Sequence, residues 1–200
     1  MNACILVTGI PASGKSTLAR ELAKRLKMPV FSKDDIKEKL FDTVGFEGRA
    51  EKVRLGVAAM EILYDTARRM MACGQTFILE NNFENASRPG LEALLKDSGY
   101  TALTICLGGD YEAIFDRFAQ RDRSGKRHMG HVVNDRYPLR EEHPSEISSA
   151  FTRESFAEAI KTRGMDGFTA GGPTLRVDTT DWSQVDIAAI EDWIRAQLAR

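Results

Sequence analysis

The sequence predicts an α/β fold in which a five-stranded parallel sheet lies between two layers of helices. Short apolar segments, each long enough for one buried strand, alternate along the chain with longer segments whose apolar residues recur at helical spacing. The 200 residues, of which 42% are hydrophobic and 28% charged, have the composition of a soluble globular domain with a well-formed core. We therefore expect one domain spanning residues 1–200.

Each predicted strand is an apolar run, and glycines or capping residues mark several ends of the predicted helices. The expected strands cover residues 4–7, 29–32, 76–81, 101–107 and 174–180. The first expected helix opens at the end of the loop 9–17, where Leu18, Leu22 and Leu26 recur every four residues. The others cover 34–41, 49–73, 88–98, 111–123 and 145–163, and Ser183 caps the last helix. Residues 124–144 interrupt this alternation, since they are polar, contain Gly and Pro and show no period.

Residues 9–17 read GIPASGKST and connect the first strand to the first helix. The spacing Gly9-x-x-x-x-Gly14-Lys15-Ser16 fits the P-loop pattern, and the strand–loop–helix context is the one this pattern requires. Without a Cβ, the two glycines let successive backbone N–H groups point at one anion, and the helix N-terminus adds its own donors. The loop predicts phosphate binding.

The residue types in this loop indicate a nucleotide with a metal ion. Lys15 supplies a positive charge for the β- and γ-phosphates, and the Ser16 hydroxyl is a suitable Mg²⁺ ligand. ATP and Mg²⁺ are therefore the expected cofactors. The expected nucleotide-binding residues are Gly9, Pro11, Ala12, Ser13, Gly14, Lys15, Ser16 and Thr17.

The segment FSKDDIKEKL narrows the class of P-loop protein. The chain lacks the guanine-reading Asn-Lys-x-Asp of GTPases, and its length leaves little room for the helical domain of ring ATPases. Asp34 and Asp35 directly follow the second strand, at the sheet edge where ligands bind in such folds. One carboxylate there would orient an acceptor hydroxyl and take its proton, while the other would cap the helix.

GIPASGKSTLAREL followed by FSKDDIKE resembles the small P-loop kinases grouped with bacteriophage polynucleotide kinase, chloramphenicol phosphotransferase and the zeta toxins. The resemblance implies that Asp34 is the general base and that Asp35 and Lys37 contact the acceptor. The family has an arginine where this chain has Lys37. Lysine lacks the planar, two-pronged contact of arginine to phosphate, which argues against recognition of a nucleic-acid end.

The resemblance also assigns roles at the end of the third strand. Glu80 falls where the family has an acidic residue near the metal, so it is a predicted metal-site residue with Ser16. Asn82 is a predicted acceptor contact. The ordinary alternatives are a polar strand end for Glu80 and a turn residue for Asn82.

A basic helix end and the irregular segment after it resemble the lid of these kinases, over about residues 117–144. Arg117 and Arg121 lie four residues apart and share one helix face, as the family's lid arginines do. Such arginines neutralise charge that develops during phosphoryl transfer, so both are predicted catalytic residues with Lys15 and Asp34. The alternative for this cluster, which includes Arg123, Lys126 and Arg127, is a solvated surface.

The predicted activity is transfer of the γ-phosphoryl group of Mg·ATP to a hydroxyl of a small molecule. A formal net charge of −1 disfavours a polynucleotide acceptor, although the basic lid keeps a 5′-hydroxyl polynucleotide kinase open as an alternative. The other rival is a nucleotide-binding ATPase that regulates a partner. No apolar stretch approaches the ~20 residues of a membrane span, and three scattered cysteines indicate a reducing cytoplasm.

Overall fold

The computed structural model describes residues 2–125, 127–139 and 151–200, and in them a five-stranded sheet forms the centre of the molecule. All neighbouring strands are parallel, in the order β2-β3-β1-β4-β5. The strands are β1 (Ala3–Gly9), β2 (Val30–Ser32), β3 (Phe77–Glu80), β4 (Thr101–Gly108) and β5 (Thr174–Asp178). The predicted α/β class, with a parallel sheet of five strands, is confirmed.

Helices cover both faces of this sheet. They are α1 (Lys15–Leu26), α2 (Lys33–Val44), α3 (Arg49–Ala72), α4 (Arg88–Ser98), α5 (Tyr111–Arg123), α6 (Met129–Val132), α7 (Arg153–Arg163) and α8 (Ile187–Leu198). In β1, Cys4 and Leu6 pack with α3 and α4, whereas Ile5 and Val7 pack with α1 and α8. Every residue of β1 is buried, which explains its continuous apolar run.

The strand order brings three chain segments to one edge of the sheet. The loop after β1, the start of α2 after β2 and the end of β3 lie side by side at the carboxyl ends of the strands, where Val7 and Ser32 both pair with Glu80. This is the position at which open α/β sheets bind ligands, next to the strand where the order reverses. The fold therefore gathers motifs that lie far apart in the sequence.

Two predicted helix starts were wrong. The helix expected over 145–163 begins only at Arg153, because the Thr152 side chain accepts a hydrogen bond from the Ser155 backbone N–H and caps it. Residues 140–150 lie outside the described residues. Asp186, not Ser183, caps the last helix, since it accepts from the Ala189 N–H, and residues 182–184 form a separate 3₁₀ turn.

The fifth strand is two residues shorter than the predicted 174–180. Thr179 turns away and donates through both its N–H and its hydroxyl to the Gly108 carbonyl, at 2.7 and 3.0 Å. By contrast, α4 matches the predicted 88–98, and Gly99 ends it in the left-handed conformation at φ 64°. No helix in the described part of the chain is long and apolar enough to span a membrane.

The described part of the irregular segment has structure of its own. It contains α6, and Tyr137 forms an antiparallel bridge with Phe46. Phe41, Phe46 and Val133 form a small buried cluster between α2 and this segment. The segment is thus packed against the α2–α3 pair rather than extending into solvent.

Candidate active site

The backbone of the loop after β1 adopts conformations that the glycines make accessible. Gly9 has φ 131°, and a Cβ there would lie 2.0 Å from the Leu107 carbonyl oxygen. Gly14 has φ 92°, and a Cβ there would lie 2.2 Å from the ring of Trp182. Ala12 has φ 62°, a conformation that costs an L-residue about 1 kcal/mol. Left-handed residues at positions 12 and 14 turn the backbone into a concavity suited to an anion.

Lys15, the first residue of α1, is held inside this loop. Its Nζ donates to the Ile10 carbonyl at 2.7 Å, and only 7% of the residue is exposed. Burial lowers the pKa of Lys15 to about 8, an effect that the charges of Glu80 and Asp34 partly oppose. The ammonium is therefore poorly solvated and would gain from an anionic ligand.

The Ser13 hydroxyl gives a second sign of a missing ligand. It is fully buried, and its Oγ has no hydrogen-bond partner among the described residues. Buried hydroxyls normally have a partner, so this atom fits an additional polar group in the loop. Pro11, Ala12, Gly14, Lys15, Ser16 and Thr17 line the adjacent cavity.

Glu80, at the end of β3, is buried beside the loop. Its Oε2 accepts a hydrogen bond from the Ser32 hydroxyl at 2.5 Å. Burial raises the pKa of Glu80, whereas the charge of Lys15 and the Ser32 hydrogen bond oppose this increase. Ser32 was not identified from the sequence, although its position just before a helix is a typical capping signal.

The two aspartates after β2 point in different directions. Asp34 lines the cavity, whereas Asp35 forms an exposed ion pair with Arg20 at 3.0 Å and does not line it. The expectation that one aspartate caps α2 was wrong, because the Ser32 hydroxyl accepts from the Asp35 N–H and is the cap. Only Asp34 is therefore placed to meet a ligand in the cavity.

The protonation state of Asp34 follows from its basic surroundings. Burial alone would raise its pKa, but His131 in its charged form, followed by Lys33 and Lys37, lowers the pKa below the usual value. Asp34 is thus ionised at neutral pH.

The two other predicted acceptor contacts, Lys37 and Asn82, differ in position. Asn82 lines the cavity, whereas Lys37 lies over the Phe41 ring and is not among the described lining residues.

The predicted lid arginines lie on α5 and face the same cavity. Arg117 has two buried nitrogens, Nε and Nη2, without a hydrogen-bond partner among the described residues. Arg121 makes only a weak contact with Asp122, at 3.4 Å, and lies over the Phe118 ring. Burial lowers the pKa of both arginines. Both guanidinium groups therefore retain the capacity to bind an anion.

The cavity that joins these groups has a volume of about 1180 Å³. Lys15, Asp34, Glu80, Asn82, Arg117 and Arg121 line one side of it. The other side is built from residues that the sequence did not identify as candidates, namely Arg153, Phe156, Ile160, Arg163 and Met165. Lys126, named in the predicted lid, and residues 140–144 lie outside the described residues.

Two histidines, His128 and His131, join α2 to the part of the predicted lid that follows α5. Residues 127–139 of this part are called the lid segment below. His128 Nδ1 accepts from the Gly130 N–H, so its Nε2 carries the proton that it donates to Asp42 at 2.9 Å. His131 Nε2 lies 3.1 Å from Glu38, and burial lowers the pKa of this imidazole to about 3. Both histidines therefore join the lid segment to carboxylates one turn apart on α2.

The donor set of the cavity fits Mg²⁺. The Ser16 hydroxyl and the carboxylates of Glu80 and Asp34 are hard oxygen donors on one cavity wall. No group of three acidic, histidine or cysteine side chains within residues 2–125, 127–139 and 151–200 forms a metal site by itself. This suits Mg²⁺, which keeps several waters and combines one or two carboxylates with substrate phosphates.

Comparisons with known proteins identify the family and support the fold. A family described as an AAA domain matches residues 4–136, two thirds of the chain. The chain belongs to this AAA-domain family. A candidate kinase from Chloroflexus aurantiacus J-10-fl is 33% identical to it, with 97% of each chain covered and a TM-score of 0.78. The predicted relationship to the small P-loop kinases is thereby confirmed.

More distant solved structures share the fold alone. Kti12 from Chaetomium thermophilum, solved in complex with ADP-AlF₃, has a TM-score of 0.57 at 20% identity. The alignment covers 96% of this chain and 97% of the Kti12 chain. A sugar kinase from Janibacter sp. HTCC2649 has the same TM-score at 12% identity, covering 100% and 95%. No curated protein matches the sequence. The P-loop kinase fold implies that the chain binds a nucleotide.

Proposed function

We propose that this protein transfers the γ-phosphoryl group of Mg·ATP to a hydroxyl group of a small-molecule acceptor. The observation that carries the proposal is one cavity lined by a P-loop, the Asp34 carboxylate and two arginines, of which Arg117 has two unpaired buried nitrogens and Arg121 a weak ion pair. Phosphoryl transfer needs these three functions together, because catalysis consists mainly of positioning and charge stabilisation.

The nucleotide side of the proposal rests on the loop after β1. Its backbone N–H groups and Lys15 would hold the phosphates, and the Ser13 hydroxyl would gain the partner it lacks. Ser16 and Glu80 would hold Mg²⁺. When bound, this ion would neutralise phosphate charge.

The acceptor side rests on Asp34. As an ionised carboxylate on the cavity wall, it would accept a hydrogen bond from the acceptor hydroxyl and take its proton as the O–P bond forms. Arg117 and Arg121, which line the same cavity, would donate to the transferring phosphoryl group. Water would be excluded by the lid segment, which the two histidines hold on α2.

A small-molecule acceptor is supported by the fold neighbours that are named as small-molecule kinases, such as the Janibacter sugar kinase. The chain's net charge of −1 argues against a polynucleotide. Two alternative functions, a polynucleotide kinase and a nucleotide-driven regulator, would each give a different result in the same assay.

That assay is ADP release from ATP and Mg²⁺ with a panel of polyols, sugars, sugar acids and a 5′-hydroxyl oligonucleotide. We expect one small molecule to stimulate release at least tenfold, and Lys15→Ala to abolish it. Lys24→Ala, an exposed lysine on the same helix, is the matched control. Stimulation by the oligonucleotide alone would favour the polynucleotide kinase, and slow release indifferent to all acceptors would favour the regulator.

A further inference from the structure

The walls of the cavity carry more positive than negative side chains. The described lining residues include seven cations, Lys15, Arg117, Arg121, Arg123, Arg127, Arg153 and Arg163, against four carboxylates, Asp34, Glu80, Asp116 and Asp122. The whole chain has a formal charge of −1, so this excess of three positive charges is local. The proposed nucleotide contacts use Lys15, Arg117 and Arg121, which leaves four arginines unexplained.

Two of those four arginines are already engaged or face solvent. Arg153 donates through both Nη groups to Glu112 and Asp116. Arg123 is exposed and donates through Nε to the Ala119 carbonyl. Arg153 therefore has no Nη group left for a ligand, and Arg123 contacts a carbonyl of its own helix rather than the segments that carry Asp34 and Asn82.

Arg127 and the half-exposed Arg163 line the same cavity and retain free donors. Arg163 contacts Glu84 through Nε alone, and its two Nη groups have no partner within the described residues. Arg127 contacts both oxygens of Asp122 through Nη1, at 2.7 and 2.6 Å, which leaves Nε and Nη2. A planar guanidinium with two free N–H groups is suited to a carboxylate or a phosphate.

Contacts place these two arginines near the predicted acceptor residues: Arg163 contacts Glu84, two residues after Asn82, and Arg127 precedes His128, which binds α2. Burial, together with the charges of Lys33, Arg127 and Arg163, lowers the pKa of Lys37 on α2 to about 8, and the charge of Asp34 opposes this decrease. Cations from α2, α7 and the lid segment therefore act together on Lys37, three residues after Asp34. Arg127 and Arg163 each contact one carboxylate, and their remaining N–H groups would gain from a further anion.

We infer that the acceptor carries an anionic group, a carboxylate or a phosphate, which Arg127 and Arg163 bind while Asp34 receives the hydroxyl. This inference rests on the proposed function, because it describes the substrate of the same site. It names a class of compound, a hydroxyl compound with one negative group, and it makes the two arginines specificity determinants.

Turnover of matched acceptor pairs tests the inference. Glycerol, glycerate and glycerol phosphate, and likewise glucose, gluconate and glucose 6-phosphate, offer one hydroxyl scaffold without and with each type of anion. We expect kcat/KM to be at least tenfold higher for an anionic acceptor than for its neutral counterpart. Comparison of the carboxylate with the phosphate compound shows which of the two anions the site binds. Equal or better use of the neutral members, or use of the oligonucleotide in preference to all of them, would overturn the inference.

Variants then assign the effect to the two arginines. Arg163→Gln and Arg127→Gln should each raise the KM of the anionic acceptor about tenfold or more, because a charge-assisted contact is lost, while the KM of ATP changes little. Arg153→Gln, on the same helix as Arg163 and lining the same cavity, should leave both values within twofold. An unchanged acceptor KM in both test variants would contradict the assignment.

A binding measurement separates this inference from the proposed function. The protein is saturated with Mg²⁺ and a non-hydrolysable ATP analogue, which fills the phosphate loop, and is then titrated with inorganic phosphate by calorimetry. We expect phosphate to bind at least tenfold more weakly to Arg163→Gln than to the wild type or Arg153→Gln. If no acceptor is turned over but this difference holds, the proposed function fails and the anion site stands; if phosphate does not bind, or binds all variants equally, the anion site fails.

Discussion

At the scale of single residues, burial controls the chemistry of the candidate site. Lys15 is enclosed by the loop, so its amine loses hydration and becomes easier to deprotonate. An anionic ligand reverses this, because it favours the charged ammonium. Nucleotide binding and protonation of Lys15 are therefore coupled, and the coupling can be measured through pH.

We predict that nucleotide affinity weakens as pH rises above about 8. Below the lowered pKa of Lys15 the free protein already carries the ammonium, so affinity is constant there. Above it, binding must also take up a proton, and Kd rises by up to tenfold per pH unit. Calorimetric titration with Mg·ADP between pH 7 and 9.5 measures this effect. In Lys15→Arg, whose guanidinium stays protonated, the slope should vanish, and a flat profile in the wild type would contradict the role of Lys15.

Residues of the site could be predicted where the signal is local. The loop 9–17 is recognised from spacing within nine residues, and Asp34 from its place after a strand. The sequence could not tell Asp34 from Asp35, because the choice depends on how α2 is rotated and on Ser32 acting as the cap. Nor could it identify Arg163, whose contact with Glu84 joins positions 79 residues apart.

At the scale of elements, one buried lysine ties the lid segment to α3. Lys52 Nζ donates to the carbonyls of His131 and Val133, at 3.0 and 2.5 Å, and to the Asn134 side chain at 3.0 Å. All three ammonium donors are thus used within four residues of the lid segment. This clamp fixes the segment whose side chains include Arg127 and His131 of the cavity wall.

We predict that Lys52→Met destabilises the fold by about 2 kcal/mol and slows turnover, with nucleotide affinity unchanged. Methionine preserves the apolar stem, but it leaves three acceptors of the lid segment without their donor. Urea unfolding, limited proteolysis and steady-state kinetics would be compared with Lys24→Met, an exposed lysine on α1. Equal stability and equal protease resistance of the two variants would show that Lys52 does not hold the segment.

Element types were predictable from the sequence, but several helix starts were not. Strands buried on both faces and helices with apolar stripes leave strong patterns, and α4 was predicted to the residue. The start of α8 was misplaced because Ser183 and Asp186 are both suitable caps, and a 3₁₀ turn uses the first of them. The order of capping residues along the chain does not reveal which one a helix uses.

At the scale of the whole molecule, the strand order β2-β3-β1-β4-β5 brings the loop, Asp34 and Glu80 to one edge of the sheet. The carboxyl-edge rule for parallel sheets allowed this meeting to be expected from sequence. The same rule did not predict that α7 lines this cavity. That position depends on the packing of α7 (residues 153–163) against α5, which the sequence pattern does not show. These elements together make a cavity in which a nucleotide and an acceptor could meet.

The central claim is that Asp34 acts on the acceptor rather than on the nucleotide, and one comparison tests it most directly. Asp34→Asn and Asp35→Asn are each assayed for the Kd of Mg·ATP and for acceptor-dependent phosphoryl transfer. We predict that Asp34→Asn keeps the Kd within about threefold of the wild type and loses transfer by about 10² to 10⁴. Asp35→Asn, which changes a carboxylate paired with Arg20 outside the cavity, should retain most transfer. Unchanged transfer in Asp34→Asn, or an equal loss in both variants, would contradict the account.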